Sequence, residues 1–354
     1  MSRRRPPVSV PAIATALLAA ASVLVFASAQ SGAVKMTPNE TDRRVDVTID
    51  GKPFTSYIWP RTLKKPVLWP IRAANGAVIT RAFPLEAKAG ERSDHPHQVG
   101  LWFNHGDVNG FDFWNNSEAI KPEEAKKFGT VIHRNVKSLK HSPDAGELTV
   151  EMIWAGGDGS HLLHEQTTFV FSGGPDRRSI DRITTLTAHD KPVVFRDNKE
   201  GVLGMRMTRA LEQPAEKPEI FTDASGKATK VPVLDNTGVS GAYVSSEGLK
   251  GDAVWGTRGR WTFLGGKIDA QPVTVAILDH PKNPGFPTYW HARGYGLFSA
   301  NMLGAKVFSN GKEELNLTLE PKKSATFRYR IVILNAEPNP EAIEAEYKKF
   351  TAGS

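Results

Sequence analysis

The feature that most limits the fold of this chain is a two-residue rhythm. Val45, Val47 and Ile49 fall on alternate positions before an Asp50-Gly51 turn, and on an extended backbone residues two apart share a face. The rhythm returns in Thr149–Trp154, Gln166–Phe171, Arg182–Leu186, Trp261–Leu264, Val273–Leu278, Glu314–Leu319 and Thr326–Leu334. These segments are rich in β-branched or aromatic residues and stop at Gly, Pro, Asn or Asp, which is the pattern of strands joined by tight turns. Helical signal is confined to the C-terminus, where Asn339 is placed to cap and Pro340 to open a helix through NPEAIEAEYKKF, and to a short stretch at 121–128 behind Pro122. The sequence therefore predicts an all-β fold, a large two-sheet antiparallel β-sandwich, supersandwich-like, with a short C-terminal helix. Residues 213–240, rich in Pro, Gly and Lys, are predicted to be a long surface loop, because strand patterns of one kind lie on both sides.

The ends of the chain set further limits. Arg3, Arg4 and Arg5, the apolar run Ala12–Phe26 and the small residues Ala27-Ser28-Ala29 have the order of a secretory signal peptide over residues 1–29. Residues 30–43 are polar and predicted to be a flexible lead-in, and 44–354 a single domain. The expected location is exported, periplasmic or secreted, with no membrane span after cleavage. Cysteine is absent, so thiol nucleophiles and thiolate metal sites are excluded. The formal charge of +7 includes the three leader arginines, and the remaining Lys and Arg are scattered; nucleic acid is not an expected partner.

Three stretches depart from strand chemistry. The first, RSDHPHQVGLWFNHGDVNGFDFWNN at 92–116, brings His95, His97 and His105 together with Asp94, Asp107 and Asn109, and adds Trp102 as a flat apolar wall. Pro96 places His95 and His97 at an edge or in a loop, on one side of an extended backbone. Asn109-Gly110 is a hairpin turn that folds the segment back. The second, DHPKNPGFPTYWHARGYGLFSANMLG at 279–304, repeats Asp-His-Pro and supplies Trp290, His291 and Arg293. The third, FRDNKEGVLGMRM at 195–207, offers Glu200. A fourth, HLLHEQTTFVF, carries less weight, because Glu165 points away from the face shared by His164 and Gln166. Each of these residues also has a structural reading, as turn, core or surface side chain.

Taken together, RVDVTIDGKPFTSYIWP, TRAFP, SDHPHQVGLWFNHGDVNGFDFW, DNKEGVLGMRM and the 279–304 stretch resemble the bacterial PmoA-like family of exported proteins, over nearly all of the chain after the leader. The usual family segment reads Asp-His-Pro-His-His-Arg; here Gln98 and Val99 stand in the last two places. The label attached to that family speaks of methane oxidation, performed by a membrane subunit with several spans, and no segment after residue 29 matches one. The strand pattern is also similar to the galactose-mutarotase-like supersandwich. That similarity implies a histidine and a glutamate on a concave face acting as acid and base on a sugar.

These readings lead to an expected carbohydrate-active protein acting on a carbohydrate or other small molecule. Its pocket combines His95, His97, His105, Glu200 and His291 as catalytic groups with Asp94, Trp102, Asp107, Asn109, Trp290 and Arg293 as substrate contacts. Glu200 is the base and a histidine the acid, for ring opening, epimerisation, elimination or hydrolysis. Besides a purely structural envelope protein, whose histidines would lie scattered on the surface, two alternatives with a ligand stay open. One is a mononuclear metalloenzyme holding a divalent metal on His95, His97 and His105; the other is a sugar-binding protein without turnover.

Overall fold

The computed structural model of the protein describes Met1 and residues 33–352, so the expected signal peptide lies outside the described residues apart from Met1. Along the chain run β1 (Val34–Asn39), β2 (Arg44–Ile49), β3 (Lys52–Ile58), β4 (Val67–Leu68), β5 (Leu101–His105), β6 (Thr130–His141), β7 (Ala145–Ala155), β8 (His161–Gly173), β9 (Arg177–Ala188) and β10 (Val193–Phe195). They are followed by β11 (Gly201–Arg206), β12 (Glu219–Thr222), β13 (Ala228–Val231), β14 (Ala242–Ser245), β15 (Trp261–Ile268), β16 (Gln271–Asp279), β17 (Trp290–Arg293), β18 (Leu297–Ala300), the one-turn helix α1 (Ala305–Phe308), β19 (Leu317–Leu319), β20 (Ser324–Leu334) and α2 (Pro340–Ala352).

Two eight-stranded antiparallel sheets carry the architecture. The first has the order β1-β2-β3-β4-β5-β11-β18-β17 and the second β14-β15-β16-β20-β9-β8-β7-β6. One large cluster fills the space between them, with Val45, Val47 and Ile49 from β2, Leu101 and Phe103 from β5, Phe169 and Phe171 from β8, and Phe327, Tyr329, Ile331 and Ile333 from β20. Alternate residues reach this core, as the two-residue rhythm requires. The core also holds a polar knot. Glu165, fully buried, accepts from Arg182 (2.7 Å), from Trp154 Nε1 (2.7 Å) and from the Thr167 hydroxyl (2.5 Å). The Arg182 guanidinium lies against Phe103 and Phe169, 5.0 and 5.1 Å from their centroids.

Helix α2 covers the outer face of the second sheet. Ile343, Tyr347 and Phe350, spaced to share one side of a helix, pack on Trp261, Phe263, Leu278 and Val332. Its start is as the sequence predicts: the Asn339 side-chain oxygen accepts from the backbone N–H of Glu341 at 2.9 Å.

Three local expectations are corrected. Part of the stretch expected to be a flexible lead-in forms β1, which pairs with β2 from Val34↔Ile49 to Asn39↔Arg44 and buries Val34 and Met36. Polar Lys35, Thr37 and Asn39 and the ladder-breaking Pro38 hid it; proline is tolerated on an edge strand, and only the inward positions need be apolar. The loop expected over 213–240 contains the hairpin β12–β13. The helix expected at 121–128 shrinks to a 3₁₀ turn at Ala125–Lys127.

Candidate functional site

The outer face of the first sheet, where β5, β11, β18 and β17 lie side by side, carries the chemistry-bearing side chains. Strand register decides which ones. Trp102 pairs with Gly204, Gly204 with Ser299, and Ser299 with His291. One row along, Arg206 pairs with Leu297 and Leu297 with Arg293. Leu203, Met205, Phe298, Trp290 and Ala292 occupy the intervening positions and face the core. Against the outer face Trp102, Trp114, Val99 and Leu297 form a small second core, with Tyr295 packed on it. Gly204 is required here, because a Cβ at this position would meet the Trp102 ring at 2.5 Å.

Over this platform sits the turn 92–98, and a buried arginine shapes it. Arg81 donates to the backbone oxygens of Arg92 (3.2 Å), Asp94 (2.8 Å), His95 (3.0 Å) and Gln98 (3.1 Å), and to the Asp94 carboxylate (2.5 Å). Arg206 reaches the same carboxylate oxygen at 2.6 Å and also donates to the Gln98 side chain. The other Asp94 oxygen accepts from His95 Nδ1 at 2.7 Å. Burial alone would raise the Asp94 pKa, but the His95 hydrogen bond with Arg206 and Arg81 overcomes it and holds the carboxyl well below the usual range. His95 itself adopts φ +44°, a left-handed conformation that costs a non-glycine residue energy and persists where its surroundings enforce it. The ring is 43% exposed. It stacks parallel on Tyr295, 5.3 Å between centroids and 1° between planes, and meets His97 edge-on at 5.6 Å.

The remaining members gather around Tyr295. Its ring lies 4.7 Å from the Arg206 guanidinium and 5.9 Å from that of Arg293, and the Glu200 charge acts on its hydroxyl. Arg293 also lies over Trp255, at 5.6 Å. Glu200, largely but not fully covered, is 3.3 Å from Lys199 Nζ. His291 Nδ1 donates to the Lys199 backbone oxygen at 3.0 Å; burial first, then the Arg293 charge, pull this imidazole down to about 4. His97 is pulled down to about 2 by burial, with Lys65 and His95 adding to the shift. Both rings are therefore neutral near pH 7 and cannot deliver a proton as imidazolium; the one N–H of His291 is spent on Lys199, which leaves its Nε2 as an acceptor.

Of the sequence-predicted residues, the fold thus brings Asp94, His95, His97, Glu200, His291 and Arg293 to one face. The others it sends elsewhere. His105 follows Leu101 and Phe103 by two-residue steps and so faces the inter-sheet core, where Nε2 donates to the Arg196 backbone oxygen at 2.7 Å and the ring lies by Phe195. Asp107 accepts from Gly110 N at 2.9 Å, and the Asn109 side chain bridges Val194 N and the Pro192 oxygen; both are turn residues. Trp102 is wholly covered beneath the platform, and Trp290 is in the main core with Nε1 on the Gly259 oxygen. Neither can stack on a ligand. The aromatic walls are instead Tyr295 and Trp255. The second Asp-His-Pro is a scaffold, because Asp279 is buried and accepts from Asn283 Nδ2 and Thr288 N. With His105 on the opposite face, the trio His95, His97 and His105 is not assembled. Among the described residues no group of three or more His, Cys, Asp or Glu is placed to hold a metal ion.

A family model described as a family of unknown function, DUF6807, matches residues 44–348, and the chain belongs to that family. No curated protein matches the sequence. Among solved structures, the GH36 α-galactosidase AgaA from Geobacillus stearothermophilus is similar at 9% identity and TM-score 0.39, over 86% of this chain and 41% of that one. This chain thus spans less than half of that enzyme. A galactose mutarotase-like protein from Clostridium acetobutylicum is similar at 10% identity and TM-score 0.36, over 86% and 99% of the two chains. Galactose 1-epimerase from Lactobacillus acidophilus NCFM is similar at 8% identity and TM-score 0.38, over 88% and 100%. Likeness at these scores carries no argument about chemistry, which rests on the side chains alone.

Proposed function

We propose that this DUF6807 member carries out acid–base chemistry on a sugar, with His95 as the group that takes and returns the proton. The observation that carries the reading is the pair Asp94–His95. Asp94 fixes the Nδ1–H tautomer at 2.7 Å, which leaves the Nε2 lone pair of a half-exposed ring free for a ligand proton. The carboxylate, kept ionised by Arg81 and Arg206, then stabilises the imidazolium that forms. Glu200, whose charge acts on the Tyr295 hydroxyl, is the second proton carrier. Arg293 and the neutral His97 offer donors to hydroxyl or carbonyl oxygens, His291 offers its Nε2 lone pair to a hydroxyl because its one N–H is held by the Lys199 backbone oxygen, and Tyr295 and Trp255 supply apolar faces for a ring.

This arrangement favours ring opening or epimerisation over glycoside hydrolysis. Hydrolysis of a glycoside by the usual routes needs two working carboxyl groups. Here Asp94 spends its oxygens on Arg81, Arg206 and His95, which leaves Glu200. The test is a panel of aldoses and uronic acids followed by NMR for anomer exchange and for deuterium uptake at carbon. The expected result is turnover by the native protein and a loss of about 10²–10⁴-fold in His95→Asn. Equal rates in the two proteins would sink the proposal, and so would ligand binding with no exchange or deuterium uptake across the panel, which marks a binding protein.

A further inference from the structure

Beneath the Pro96–His97 turn lies a cavity of about 180 Å³, lined by Thr62, Lys65, Leu85, His97 and Ser117 among others. Lys65 is 4% exposed, and its Nζ donates to the His97 backbone oxygen at 2.7 Å. An ammonium has three N–H groups, and among the described residues no carboxylate lies within ion-pair distance of this one. Lys64 and Glu118 also line the cavity and are paired with each other, so the one carboxylate of the lining is matched by a cation other than Lys65. Asp112 acts on Lys65 from further off and is occupied by Asn115, whose backbone and side-chain N–H groups it accepts at 2.9 and 2.7 Å. On its other side Lys65 shares a cleft with Arg43, Arg61 and His133, which add positive charge or none. The Trp102 ring, 5.6 Å away, is its other favourable neighbour.

A buried cation without a counter-ion is costly, and burial draws Lys65 down to about 7. We propose that this cavity is a carboxylate-binding subsite with Lys65 as its counter-ion, so that the ligand handled by His95 is an acidic sugar. That the acid is a sugar rests on the function proposed above; the carboxylate does not. One ammonium suits a monoanion. The Ser117 hydroxyl, which accepts from Ala119 N, keeps its own proton to donate. His97 joins the two places, because it lines the cavity and meets the His95 ring edge-on.

Ligand-observed NMR with acetate, glucuronate, glucose and inorganic phosphate, each at pH 6, 7 and 8, tests this. Acetate and glucuronate bind, and glucose binds at least tenfold more weakly than glucuronate. Carboxylate affinity falls up to tenfold per pH unit above about 7, as Lys65 loses its proton. Lys65→Met lowers it at least tenfold. Affinity indifferent to Lys65→Met, or phosphate taken in place of acetate, overturns the subsite. Should Lys65→Met fail to fold, Lys65→Gln, which keeps a donor but removes the charge, decides: acetate affinity unchanged in that variant overturns the subsite. His95→Asn retains acetate binding, so a failure of the proposed chemistry is distinguishable from a failure of the subsite.

Discussion

At the scale of single residues the molecule turns on Asp94, which binds two arginines and a histidine at once. Its folded pKa lies below the value near 3.9 of an unfolded aspartate. The ionised group therefore contributes its full stability above that unfolded value, and loses it as pH falls toward the folded one. Asp94→Asn, which leaves the buried Arg81 and Arg206 without their shared carboxylate, is expected to cost about 3–5 kcal/mol at pH 7. The gap to the native protein should narrow below about pH 4, as urea unfolding at pH 7 and pH 3 would measure. A gap that widens in acid contradicts the assigned role. The sequence announced Asp94, His95 and Arg293 through their odd company of Pro, Trp and Tyr. It did not announce Arg81, Arg206 or Tyr295, because an arginine in an ordinary strand or turn reads as surface charge until the fold buries it.

At the scale of elements, side-chain parity explains both the successes and the misses. His105 stands two places from Phe103 and four from Leu101, both in the main core, so the alternation within β5, a strand not among those predicted from the sequence, points its histidine inward. Trp290 and His291 are neighbours in sequence and face opposite sides of β17 for the same reason. These misses were legible in principle. The Glu165–Arg182 pair was half legible: the strand reading turned Glu165 away from His164, but nothing local told that an arginine from β9 would meet it. Replacing Glu165 by Gln leaves Arg182 buried without a counter-charge and is expected to cost about 3–5 kcal/mol. The double change Glu165→Met with Arg182→Met should recover much of that loss, because an apolar pair removes the desolvation penalty. Chemical denaturation of the single and double variants checks this, and a double variant no better than the single one would refute it.

At the scale of the whole molecule, the two-sheet architecture followed from period-two patterning and chain length, while the site depended on an order the pattern does not contain. The strands β5, β11, β18 and β17 are adjacent in the sheet yet come from positions nearly two hundred residues apart, and only long-range pairing makes neighbours of Arg206 and Arg293. Because each of these strands gives one set of side chains to the sandwich interior and the interleaved set to the platform, the two jobs are inherited by different codons. Conservative trims of the inward set, such as Met205→Leu or Leu203→Ile, should alter melting by a few degrees while leaving the proposed anomer exchange within about twofold, measured by NMR beside thermal unfolding. A lineage carrying this scaffold is then free to exchange its reactive groups without rebuilding the framework that holds them.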